Sequence, residues 1–173
     1  MRIVVLLILL AAAGGYYWKD QREISEAKLM RYVRAHVDAM QRKDGEALCE
    51  QLAPDFEGQF VHVVAGAVQQ QYIEREQSCE NMRQFFEAKA AMDRTLPAGS
   101  EFGVNFAINI DRVEISDDKK HATTQTRSRL SLANAVIIDS VTTDTFGMLD
   151  GSVVMQSSEG RVQVSGPAAG TMR

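Results

Sequence analysis

A chain of 173 residues, 45% hydrophobic and 24% charged, has room for one domain with short flanking segments. A formal net charge of −4 and a pI near 5.4 provide no cationic surplus to neutralise phosphates, which argues against nucleic acid as a partner. No phosphate loop, nucleophile elbow, His-Glu zinc motif or dinucleotide fingerprint occurs.

The first residues read as a targeting segment. Ile3 to Trp18 is an uninterrupted uncharged run behind Arg2, closed by Tyr16, Tyr17 and Trp18. It is marginal in length for a transmembrane helix, and its aromatic end suits the headgroup region. Two readings stand: a retained signal anchor, or a cleaved signal peptide with Ala11-Ala12-Ala13 at the cleavage site. No cysteine follows the run, which excludes a lipoprotein anchor. Both readings carry the rest of the chain across a membrane and leave the positive N-terminus inside. The division expected is 1–23 for the anchor or signal with its charged collar, 24–165 for the domain, and 166–173 for a flexible tail.

Beyond the collar the hydrophobic period is that of helices. Ser25 offers an N-cap with Glu26 in the first turn. Leu29, Val33, Val37 and Met40 then line one face, with Arg31, Arg34, Asp38, Gln41 and Arg42 opposite. Asp44-Gly45 turns the chain, and a second short helix runs from Glu46 to Leu52 until Pro54 stops it. A strand follows over Gln59 to Val64, broken at Gly66. Val68 to Ile73 reads equally as strand or as the start of a helix. A third helix begins near Ser78, with Cys79, Met82, Phe85, Phe86 and Ala90 on its apolar side. Cys49 and Cys79 are the only cysteines, both in the exported part, where an oxidising compartment permits a disulfide. Neither has a second Cys or a His at ligand spacing, so no metal site is expected.

After Pro97 and Gly99 the period becomes two. Phe102, Val104, Phe106, Ile108 and Ile110 alternate with small or polar residues, and Val113 and Ile115 fall on the other parity, which predicts a bulge near Asp111 or Arg112. Asp117 to Lys120 is a hairpin turn. Strands are expected over His121 to Leu132, over Val136 to Met148, and, past the Asp150-Gly151 turn, from Ser152 to Val164 with an interruption at Glu159-Gly160. The order gives an α+β fold, three helices packed on one face of a curved antiparallel sheet.

The stretch AMQRKDGEALCEQLAPDFEG, residues 39–58, and the element order around it over about residues 25–165 resemble the nuclear transport factor 2-like superfamily, also called cystatin-like or SnoaL-like. The resemblance implies a cone whose helices close a concave sheet over a cavity, and pairing into homodimers through the sheet. It does not choose an activity, because the fold hosts isomerases, cyclases, dehydratases, binding modules and secretion scaffolds.

Enzymes of that superfamily place a carboxylate or histidine in the cavity, often beside a tyrosine. The candidates here are Asp55, Asp111 and His36, with Tyr32 or Tyr72 as the tyrosine. Against them, Asp55 is explained by turn-making, Asp111 by the bulge, and His36 by a structural hydrogen bond at the border of a buried stripe. His62 and His121 have no carboxylate partner nearby in sequence. Arg127 and Arg129 share one strand face, opposite Thr124, Thr126 and Ser128. They read either as an anion clamp or as a solvated outer face, and the outer face explains them better. With no convergent acid/base set in the sequence, the leading expectation is a non-enzymatic binding or scaffold domain of the bacterial cell envelope. It would be exported or anchored in the inner membrane, facing the periplasm or cell exterior and meeting an envelope partner. Two alternatives stay open. One is a small-molecule isomerase, cyclase or dehydratase of the SnoaL or ketosteroid-isomerase kind using a cavity acid/base residue. The other is a domain that binds a small ligand without catalysis. No cofactor is implied.

Overall fold

The structure, a computed structural model, describes residues 22–95, 104–132 and 135–165. The proposed anchor or signal, the start of the first long strand at Phe102, and the C-terminal tail lie outside these residues. Among the described residues no helix is long and apolar enough to cross a membrane.

Helix α1, Glu26–Arg42, begins where the Ser25 hydroxyl accepts from the Lys28 amide, and ends at Lys43 in the left-handed region with its amide on Ala39 and Met40 carbonyls. Asp44 caps helix α2, Gly45–Glu50, by accepting from the Ala47 amide at 3.0 Å. The expected helix to Leu52 is shorter than predicted, because the chain turns straight into strand β1, Leu52–Val64. Pro54 therefore lies in a strand. It is tolerated there because β1 bulges: Leu52 pairs with Met155 and Glu57 with Ser157, leaving residues between them outside the ladder.

Ala65 and Gly66, both at positive φ, make the two-residue turn into strand β2, Ala67–Glu74, resolving the ambiguous segment as a strand. Helix α3, Arg75–Thr95, starts three residues before the expected Ser78. Arg75 fixes this start by donating to the Leu52 and Cys49 carbonyls, both at 3.4 Å. Strands β3 (Val104–Ile115), β4 (Ala122–Leu132), β5 (Ala135–Leu149) and β6 (Ser152–Val164) follow. The bulge falls at Asp111, between the Ile110 and Arg112 pairings.

The six strands form one sheet in the order β2-β1-β6-β5-β4-β3. Every pair is antiparallel except β1 and β6, which run parallel. The sheet is therefore mixed rather than antiparallel throughout: successive hairpins carry the chain from β3 to β6, and the last strand docks beside the first. The expected interruption of β6 does not occur. Gly160 instead permits close approach, since a Cβ there would stand 2.3 Å from the Val141 carbonyl oxygen.

The core lies where the helices meet the concave face. Ile24, Leu29 and Tyr32 pack on Ala122, Phe146 and Val153. Ala39, Leu48 and Phe86 join the three helices. Cys49 and Cys79 form a disulfide with Leu52 and Phe56 packed around it, tying α2 to α3. Closing this 30-residue loop stabilises by about 3.5 kcal/mol in the chain-entropy model.

Candidate functional site

Two periodicities converge on one hollow. On α1 the spacing of three and four puts Tyr32, Val33 and His36 on the stripe that faces the sheet. On β5 the alternation sends Thr142, Asp144 and Phe146 inward and Asp139, Val141 and Thr143 outward. Cross-strand register sets Thr124 of β4 opposite Asp144, and Asp144 opposite Ser158 of β6. Tyr32, Val33, His36, Ile110, Thr124, Thr126, Asp144 and Phe146 consequently line a small hollow of about 60 Å³.

Asp144 is 5% exposed. Ser158 Oγ donates to its Oδ1 at 2.7 Å and Thr142 Oγ1 to its Oδ2 at 3.2 Å. Among the described residues, two hydroxyls and no cation hold this carboxylate. The Thr124 and Thr126 hydroxyls, 3.2 Å apart, satisfy one another on the same wall. Tyr32 packs edge-on against Phe146, ring centres 5.0 Å apart. Its hydroxyl is buried and has no hydrogen-bond partner among the described residues. Burial, and secondarily the negative charge of Asp144, push the phenol pKa far above its ordinary value, so Tyr32 keeps its proton and remains a donor.

His36 stacks beside Tyr32, and its Nδ1 lies 2.9 Å from Gln51 Oε1. This pairing engages Nδ1 and leaves Nε2 as the ring nitrogen outside it. Burial lowers the His36 pKa, opposed by the Gln51 hydrogen bond and the Asp144 charge. Gln51 is itself fixed, because its carbonyl accepts from the Met155 amide at 2.9 Å. The hollow thus holds a neutral imidazole, a protonated phenol and a carboxylate.

A wider groove of about 400 Å³ adjoins the hollow along α1, with Ile108 lining both. Val37, Met40, Phe85, Phe86, Phe106 and Leu130 supply its apolar walls.

Of the sequence candidates, the structure brings together His36 and Tyr32 and disperses the rest. Asp55 and Asp111 are exposed, and Tyr72 is 70% exposed on edge strand β2. His62 is half-buried on β1 beside Phe60, outside the hollow. His121 is exposed and meets Gln156 at 3.2 Å. Arg127 and Arg129 point away from the concave face, with Arg129 3.6 Å from Asp139, so they form no clamp over the cavity. Asp144, Gln51 and Ser158 escaped sequence reasoning. The one signal for Asp144 was its parity with Thr142 and Phe146, which marks it as inward once the strand's buried face is known. Strand β5, distant in sequence from α1, brings the Asp144 side chain to the hollow that Tyr32 and His36 line, a grouping that no local stretch of sequence displays. Among the described residues, no group of three or more His, Cys, Asp or Glu could hold a metal ion.

No family model matches the chain, and no curated protein matches it. Solved structures do. A domain of unknown function with a cystatin-like fold from Nostoc punctiforme is 14% identical, with TM-score 0.54 over 82% of this chain and 81% of that one. A ketosteroid isomerase-like protein from Erwinia carotovora atroseptica is 14% identical, with TM-score 0.50 over 80% of this chain and 98% of the other. An NTF-2 like protein of unknown function from Shewanella oneidensis has the same identity and TM-score over 78% and 97%. At this identity the likeness is one of fold: the domain has the NTF2-like, cystatin-like architecture.

Proposed function

We propose that this domain binds a small, largely apolar molecule bearing a carbonyl group and moves a proton on it. The observation that carries the reading is the buried Tyr32 hydroxyl, without a hydrogen-bond partner among the described residues, in the hollow that His36 and buried Asp144 also line. Leaving a buried hydroxyl unpaired costs about 1–3 kcal/mol, a cost that a ligand oxygen in the hollow would remove. In this reading His36 Nε2 takes a proton from the carbon next to the carbonyl. Tyr32 donates its hydrogen bond to the carbonyl oxygen as negative charge gathers there. Asp144, held by Thr142 and Ser158, stabilises the imidazolium formed. Return of the proton to the same carbon gives exchange, and return to a conjugated carbon gives isomerisation.

The grouping of Tyr32, His36 and Asp144 around one hollow supports this reading over the scaffold one. Export remains part of the proposal, supported by the N-terminal apolar run and by the Cys49–Cys79 bridge, which belongs in an oxidising compartment.

The test is α-proton exchange. The full chain is incubated in D2O with a panel of medium-chain ketones, and deuterium uptake is followed by NMR. Wild type should exceed buffer, and His36→Gln should lose about 10²–10⁴-fold, the usual worth of a positioned base. Equal rates for wild type and His36→Gln across the panel would sink the proposal.

A further inference from the structure

The two edges of the sheet are built differently. Strands β2 and β3 lie at its ends, where unpaired backbone groups invite a further strand. Strand β3 is guarded: the bulge at Asp111 shifts its register, and Asp111, Arg112 and Glu114 put charge along it. Strand β2 has no such guard. From Ala67 to Ile73, AVQQQYI, it contains no charged residue and no proline. Its pairing with β1 runs from Glu57 and Glu74 to Val64 and Ala67 without a shift. Val68 and Tyr72 are 65% and 70% exposed, the highest values for large apolar side chains among the described residues.

The free edge has a defined hydrogen-bonding capacity. The two-residue turn at Ala65-Gly66 makes Val64 and Ala67 a hydrogen-bonded pair. Bonded and non-bonded pairs alternate from there, so Val68, Gln70 and Tyr72 aim their N–H and C=O groups away from β1. The sequence is self-complementary about the middle one of these three. Laid antiparallel on itself and centred on Gln70, β2 sets Gln70 against Gln70, Gln69 against Gln71, and Val68 against Tyr72. This register alone engages all three outward residues of both copies. It also joins a β-branched to an aromatic side chain twice on the convex face.

We infer that the partner of this edge is a second copy of the chain, its β2 added antiparallel about a two-fold axis at Gln70. Self-pairing meets no charge repulsion there, because the segment is uncharged. The two sheets become one, and the axis, perpendicular to it, leaves both concave faces on the same side. The contact is edge to edge, unlike a pairing of two sheets face to face, and it makes no use of the hollow. It is also narrow, which sets the association at the weak end of specific interfaces.

Charge at the axis tests the register, because residue 70 meets its own copy there. The full chain, kept in mild detergent, is followed by sedimentation velocity over a concentration series. Wild type should show a monomer–dimer equilibrium. Gln70→Lys and Gln70→Glu should each raise the dimer dissociation constant about fivefold, through like charges directly opposed, and melt as wild type does. An equimolar mixture of the two should recover dimer as mixed pairs, which neither misfolding nor association through the N-terminal run would produce. A wild type that stays monomeric throughout would overturn the inference. So would dimers that both variants leave unmoved, which would put the contact on another surface, or a mixture that recovers nothing.

Discussion

Strand β5 carries two aspartates that meet opposite fates. Asp139 faces the convex side, 3.6 Å from the Arg129 guanidinium across the ladder. Asp144 faces the concave side, 5% exposed, held by the Ser158 and Thr142 hydroxyls. On the outer face a charge is met by an opposite charge that water and salt largely screen, so the pair contributes little. On the inner face neutral donors hold the charge without cancelling it, so its field reaches Tyr32 and His36. The same side chain on one strand is a surface pair in one place and a source of electrostatic bias in the other, and parity alone separates them.

The strongest way to disturb the inner arrangement acts from outside it. Replacing Cys49 and Cys79 by alanine should cost about 3.5 kcal/mol, read as a lower denaturant midpoint. It should also loosen Gln51, two residues beyond Cys49, and with it the His36 ring, seen as a shifted imidazole resonance. Next in size, Asp144→Ala strands the Ser158 and Thr142 hydroxyls and should cost about 1–3 kcal/mol. Asp139→Ala should stay within about 1 kcal/mol. Equal losses in chemical denaturation would erase the distinction between the faces.

A gentler probe keeps the shape. Asp144→Asn removes the charge that raises the His36 pKa, so an NMR titration should place the imidazole pKa lower than in wild type. Asp139→Asn should leave it unmoved.

The smallest effect is in stability against pH. Because the folded pKa of His36 is depressed, the unfolded chain takes up its proton first as pH falls through about 6.5. Stability should therefore be full above that pH and decline below it, by less than about 1.4 kcal/mol per pH unit. The part of the decline due to this ring should vanish in His36→Gln, compared by thermal melts across pH 5–8.

What the sequence made legible follows one physical division. Features set by neighbours in the chain could be read: the Ser25 cap, the Asp44-Gly45 turn, the α1 stripe, the Asp111 bulge, and the outward parity of Arg127 and Arg129. Features set by distant partners could not. Pro54 reads as a helix stop, and only the β6 register reveals a bulge that accommodates it within a strand. Glu159-Gly160 reads as a break, whereas the glycine admits the β5 backbone at close range. For the site, His36 and Tyr32 were visible on the helix. Asp144 was not, because nothing local distinguishes an inward aspartate on a Ser/Thr-rich strand from an outward one.

The parallel seam between β1 and β6 has a further consequence. Hairpins and adjacent helices can form soon after their residues are available, but Leu52 must wait for Met155 before its ladder partner exists. This seam joins segments far apart in the chain, so it bears a large loop-closure entropy and raises the mean sequence separation of native contacts. Until β6 docks, β1 presents an unpaired edge beside open apolar surface, the condition under which intermediates aggregate. Closure of the seam is therefore the natural late step of folding, whereas the Ser158 hydroxyl reaches Asp144 already within the β5–β6 hairpin.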